Sequence, residues 1–114
     1  MSGKAKGETG LKRAILDALN ASGLVEAWNQ PSGQHRVRRG FLHCAPKGSS
    51  DLCGYFLDGS GRHLALEIKI PGEKAKPEQT AALERVIAAG GVGAVVCSVV
   101  EALAVVQREF RRAS

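Results

Sequence analysis

Apolar residues recur at helical spacing from Leu11, through Ala14, Ile15 and Ala18 to Leu19, with Lys12, Arg13 and Asp17 on the opposite side. This pattern predicts an amphipathic helix that Ser22-Gly23 stops, preceded by a loose Gly/Lys-rich tail over residues 1–7. Leu24 to Trp28 reads as a short strand, and Asn29 to Gly33 as a turn cluster. The segment from His35 to Cys44 reads as a second strand or an extended arm, and Ala45 to Ser50 as a loop. The alternation sharpens beyond it. Leu52 to Leu57 and His63 to Ile70 are two strands joined by the tight turn Asp58-Gly59-Ser60-Gly61, and so form a hairpin. Pro77 opens a helix that Gly90-Gly91 closes, Val92 to Ser98 is a strand, and a last helix runs from about Val100 to Arg112. The order α-β-β-β-β-α-β-α predicts one small α/β domain, residues 8–114, with a central mixed sheet flanked by helices.

Composition narrows the function classes. With 114 residues, 44% of them hydrophobic and 24% charged, the chain has the makeup of a globular domain rather than a disordered one. No apolar run approaches the roughly 20 residues of a membrane span, and no export signal opens the sequence, so an intracellular location is expected. Cys44, Cys53 and Cys97 are an odd set without CxxC spacing. A zinc site from His35, His43, Cys44 and Cys53 would match no common ligand spacing.

Sixteen basic residues against eleven acidic ones give a net charge of +5, and residues 27–50 contain no acid at all. Arg36, Arg38, Arg39 and Lys47 lie in that stretch, which suits a surface facing phosphates; a solvated basic loop is the alternative. Aromatic residues are only 4% of the chain, so a base-stacking platform is not suggested.

The strand from His63 to Ile70 carries the candidate chemistry. Leu64, Leu66, Ile68 and Ile70 share one face, which leaves Glu67 beside Lys69 on the other. An exposed ion pair would explain these two charges by themselves. Asp51 changes the picture, because the hairpin brings the start of one strand beside the end of the next. Two carboxylates and a backbone carbonyl make an oxygen site for Mg²⁺ or Mn²⁺, with Lys69 against the water or phosphate. Gln79 shares a helix face with Ala82, Leu83 and Val86, and a polar amide packed there needs a partner, which the edge of the same site can supply.

Gly48-Ser49-Ser50-Asp51, the run Gly61 to Lys69 with its Glu-Ile-Lys, Pro77-Glu78-Gln79 and Gly90-Gly91 together resemble the VRR-NUC branch of the PD-(D/E)XK nucleases, in particular its small stand-alone phage-type members. The resemblance spans nearly the whole chain. Ser50 stands where that family usually has proline. It implies a restriction-endonuclease-like core and a metal-dependent, structure-selective endonuclease acting on Holliday junctions or other branched DNA. Asp51, Glu67 and the Ile68 carbonyl would hold Mg²⁺ or Mn²⁺. Lys69 would position or help deprotonate the attacking water, Gln79 would orient Lys69 or the phosphate, and Glu8 would match the glutamate of the family's first helix. Arg36, Arg38, Arg39 and Lys47 would hold the DNA backbone. The products would carry 5′-phosphates, and a homodimer would supply the two sites that symmetric cleavage needs. A non-catalytic DNA-binding module on the same fold and a small basic RNA-binding protein are the rival readings.

Overall fold

The computed structural model describes residues 3–30, 34–37, 40–43 and 50–112. Three helices and six strands follow one another among them: α1 (Gly3–Ser22), β1 (Val25–Asn29), β2 (Gln34–Val37), β3 (Gly40–His43), β4 (Leu52–Phe56), β5 (His63–Ile68), α2 (Pro77–Ala88), β6 (Val92–Val96) and α3 (Val99–Glu109). The chain is an α/β domain built on a mixed four-stranded sheet in the order β1-β4-β5-β6. The first two pairings are antiparallel, and β5 pairs with β6 in parallel across the helical connection α2.

The helices divide between the two faces of the sheet. Ile15 and Leu19 of α1 and Ala102, Val105 and Val106 of α3 bury against Leu52, Phe56, Leu64, Leu66, Ile68, Val92 and Val96, which alternate along their strands on one face. Helix α2 lies on the other face, where Leu83 and Ile87 meet the backbone of Gly93. It packs mainly on β5 and β6, and leaves most of the β1–β4 half of that face without a helix among the described residues. This uneven cover positions the candidate site.

Local chemistry fixes the joints. Gly23, at φ +75, takes the left-handed turn that ends α1, as the Ser22-Gly23 signal predicts. Asn20 of α1 then clamps the edge strand β1, accepting from the Ala27 N–H at 2.8 Å and donating to the Ala27 carbonyl at 3.0 Å. Gly54 lets β1 approach β4: a Cβ there would stand 2.3 Å from the Glu26 carbonyl oxygen. The β4–β5 turn is tied to the C-terminal segment by Asp58, which accepts from the Arg111 N–H at 2.8 Å, and by Arg62, whose guanidinium lies 3.4 Å from Glu109.

Two expectations need correction. Residues 3–7, read as a loose tail, belong to α1, whose Lys4, Ala5 and Lys6 are good helix formers. The single strand or arm from His35 to Cys44 is instead two short strands, β2 and β3, paired antiparallel from Gln34↔His43 to Val37↔Gly40. The chain doubles back after four residues, which explains why the segment alternates poorly when it is read as one strand.

Candidate metal and catalytic site

The site forms where β4 begins and β5 ends. Leu52 pairs with Leu66, so one step further along the antiparallel register sets Asp51 opposite Glu67. The backbone holds Asp51 from both sides. Its carbonyl accepts from the Gln30 N–H at 2.9 Å, and its Oδ2 accepts from the Ile68 N–H at 2.9 Å. The second carboxylate oxygen, Oδ1, lies 3.2 Å from Lys12 Nζ, which reaches across from α1.

Glu67 is the unusual residue. It is 1% exposed, in a strand whose neighbours Ala65, Leu66 and Ile68 are equally buried, so the exposed sheet face that would make it an ordinary surface ion pair does not exist. Its Oε1 accepts from Gln79 Nε2 at 2.9 Å and lies 3.7 Å from Lys69 Nζ, itself only 13% exposed. Its Oε2 is buried with no hydrogen-bond donor. A buried carboxylate oxygen without a donor is costly, and calls for a proton or a cation. Burial first, then a hydrogen bond from the protonated Glu67 carboxyl to Asp51, then the Asp51 charge, push the Glu67 carboxyl from its ordinary 4.5 up to about 8, against the opposing pull of Lys69 and Lys12.

Gln79 occupies the first turn of α2 and works in two directions. Its Oε1 accepts from the Lys76 N–H at 2.8 Å, closing the helix start, while its amide nitrogen donates to Glu67. The two buried residues of α2, Ala82 and Leu83, lie one turn on, as its expected apolar face requires.

Asp51, Glu67, Lys69 and Gln79 therefore come together in space. The Ile68 backbone belongs to the same strand end, and its side chain fills the core. The backbone at Glu8 is helical, one turn before Lys12, and its side chain lies outside the described atoms. Arg38, Arg39 and Lys47 lie outside the described residues, and Arg36 is described only as the backbone partner of Phe41 in β2. Among the described residues, no group of three or more His, Cys, Asp or Glu side chains gathers to hold a metal. The donor set on hand is two carboxylates and backbone carbonyls, of which the orphaned Glu67 oxygen fits a hard divalent cation.

Sequence reasoning missed two features. Lys12 looked like the polar side of an amphipathic helix, and only the packing of α1 over the sheet carries it to Asp51. The second is a groove of about 730 Å³ on the α2 side of the sheet. Its lining includes Trp28, Ser50, Cys53 and Ala65, and so reaches the chain neighbour of Asp51 and the residue beside Glu67 on the sheet face. No described helix is long and apolar enough to cross a membrane. Compared with known protein families and with curated proteins, the sequence matches none.

Proposed function

We propose that the protein is a metal-dependent endonuclease with a restriction-endonuclease-like core, which hydrolyses phosphodiester bonds in branched or junction-containing DNA. The observation that carries this reading is the buried Glu67 carboxylate, one oxygen of which lacks a donor, set opposite Asp51 and beside Lys69. A buried carboxyl whose proton affinity is raised by desolvation and a neighbouring carboxylate is a mark of sites built for chemistry rather than for stability.

In this reading Asp51, Glu67 and the Ile68 carbonyl would hold Mg²⁺ or Mn²⁺. When bound, the cation would supply a Lewis acid that lowers the pKa of a water and offsets charge on the phosphorane-like transition state. Lys69 would position or help deprotonate the attacking water, and its ion pair with Glu67 at 3.7 Å keeps it beside the carboxylates. Gln79 fixes the orientation of Glu67 by occupying one oxygen and leaving the other for the cation. Hydrolysis adds the water oxygen to phosphorus and breaks the bond to the 3′ oxygen, leaving a 5′-phosphate and a 3′-hydroxyl. The net charge of +5 supports a polyanionic substrate, and Arg36, Arg38, Arg39 and Lys47 would contact the backbone without reading bases. A C2 homodimer would give the two sites needed to cut a symmetric junction, and light scattering at micromolar concentration tests it: a strict monomer removes this part of the proposal.

The test of the activity is to incubate four-way junction, flap and linear duplex DNA with the protein in Mg²⁺ or Mn²⁺. Cutting that chelation abolishes supports the nuclease. Tight, salt-sensitive binding without any cutting would reduce the protein to a DNA-binding module.

A further inference from the structure

The β1–β4 half of the sheet face, which α2 leaves mostly open, carries an aromatic pair. Trp28 of β1 and Tyr55 of β4 lie with ring centroids 6.0 Å apart and planes tilted by 58°. Both rings are held. The Trp28 Nε1–H donates to Gln30 Oε1 at 3.0 Å, and the Tyr55 hydroxyl donates to Glu26 Oε2 at 3.0 Å. Trp28 is nevertheless 40% exposed, and it forms one wall of the groove. The floor is made of small residues, Cys53 and Ala65, and the opposite wall carries the exposed Arg85 of α2. A flat floor, a rigid indole on one side and a guanidinium on the other suit a planar base attached to a phosphate.

The groove also has the right place. Gln30 is bonded to Asp51 across β1 and β4, and Trp28 pairs with Cys53 two residues further along. Two residues of strand span about 7 Å, which two stacked nucleotides cover at about 3.4 Å each. A strand whose phosphate lies at Asp51 and Glu67 thus brings a neighbouring base to the indole.

We infer that the groove binds an unpaired nucleobase, stacked on Trp28 within one or two nucleotides of the phosphate at the carboxylate pair, with Arg85 taking the adjoining phosphate. The inference rests on the nuclease reading for the choice of nucleic acid as ligand. It deepens that reading, because a pocket for one splayed base selects unpaired or branched DNA over continuous duplex.

Trp28 is the single tryptophan of the chain, so its fluorescence reports on this groove alone. The experiment titrates the full chain, in EDTA at low salt, with dye-labelled short oligothymidine, with the same oligomer made abasic, and with blunt duplex, and follows tryptophan emission together with the anisotropy of the dye, which also reads binding by variants that lack Trp28. The inference expects oligothymidine to quench the emission by about half or more, the abasic oligomer to leave it unchanged, and the duplex to quench less than the single strand. Trp28→Ala should weaken oligothymidine binding about tenfold, in keeping with the worth of one stacked base, and should leave abasic binding unaltered; Trp28→Phe should recover part of the loss. Absent binding, binding without quenching, equal affinity for the abasic strand, or equal quenching by duplex each overturns it. Because no metal or cleavage enters the readout, a protein that quenches but never cuts refutes the nuclease reading alone, and one that cuts without quenching refutes this inference alone.

Discussion

Gln79 Nε2 donates to Glu67 Oε1 at 2.9 Å, joining the first turn of α2 to the middle of the sheet through the one buried acidic side chain among the described residues. The same amide closes the helix start through Lys76, so a single side chain couples the helix position to the orientation of the candidate metal ligand. Removing it should be felt twice. Gln79→Ala is expected to cost about 1–2 kcal/mol of stability in urea unfolding, since it leaves a backbone N–H and a buried carboxylate oxygen each short of a partner. It should also weaken Mn²⁺ binding severalfold in calorimetry; unchanged stability and affinity would show that the amide bears no such load.

Lys12 holds Asp51 Oδ1 at 3.2 Å, at a position where a bound divalent cation would compete with it for the same carboxylate. The pair is partly exposed, so the interaction is worth about 1 kcal/mol at most. Lys12→Met is therefore expected to tighten Mn²⁺ binding about fivefold, whereas Asp51→Asn should abolish it. Calorimetric titration measures both, and looser binding in Lys12→Met would mean that Lys12 supports the cation rather than opposing it.

The Glu67 carboxyl, raised to about 8 chiefly by burial and then by Asp51, sets the pH behaviour of the metal-free protein. A carboxyl whose folded-state value lies above its unfolded one stabilises the fold while protonated, and this contribution is lost as pH rises from about 4.5 through about 8. Glu67→Gln, which keeps the shape without the charge, should raise the thermal midpoint at pH 8.5 and leave it nearly unchanged at pH 4.5. Divalent cation binding to the wild type should release a proton below pH 8 and strengthen as pH rises. Thermal melts across this range, with and without Mn²⁺, measure both effects.

Gly54 allows the edge strand β1 to approach β4, with a Cβ there only 2.9 Å from the Ala27 Cα. Gly54→Ala should destabilise the fold by about 1–3 kcal/mol, as overpacking does. Because β1 carries Trp28, its emission should shift in the same variant, which fluorescence reads directly.

The pairing logic of a hairpin was enough to bring Asp51 beside Glu67 and Lys69, since strand starts meet strand ends whatever the surrounding packing. Gln79 was legible for a similar reason, because a polar residue on the packed face of a helix must find a partner. Long-range placement was less accessible. Lys12 reaches the site only through the crossing of α1 over the sheet, and Trp28 and Tyr55, 27 positions apart in the sequence, become neighbours only through the β1–β4 register. Four aromatics per hundred residues argued against a stacking surface, yet the fold sets two of them side by side on one face of the sheet. The burial of Glu67 was also hidden: alternation alone assigns it to the polar side of β5, and only the cover from α2 turns that side into interior.

A divalent cation site formed by Asp51 and Glu67 for cutting DNA has a direct consequence in the products. The most direct measurement is cleavage of an end-labelled four-way junction in Mn²⁺ by the wild type, Glu67→Ala and Lys69→Ala, mapped to the nucleotide. The wild type should cut near the branch point and leave 5′-phosphate ends, and both variants should lose at least a hundredfold in rate, in line with the removal of one transition-state contact. No metal-dependent cutting by the wild type, or cutting by either variant at the wild-type rate, would rule this out.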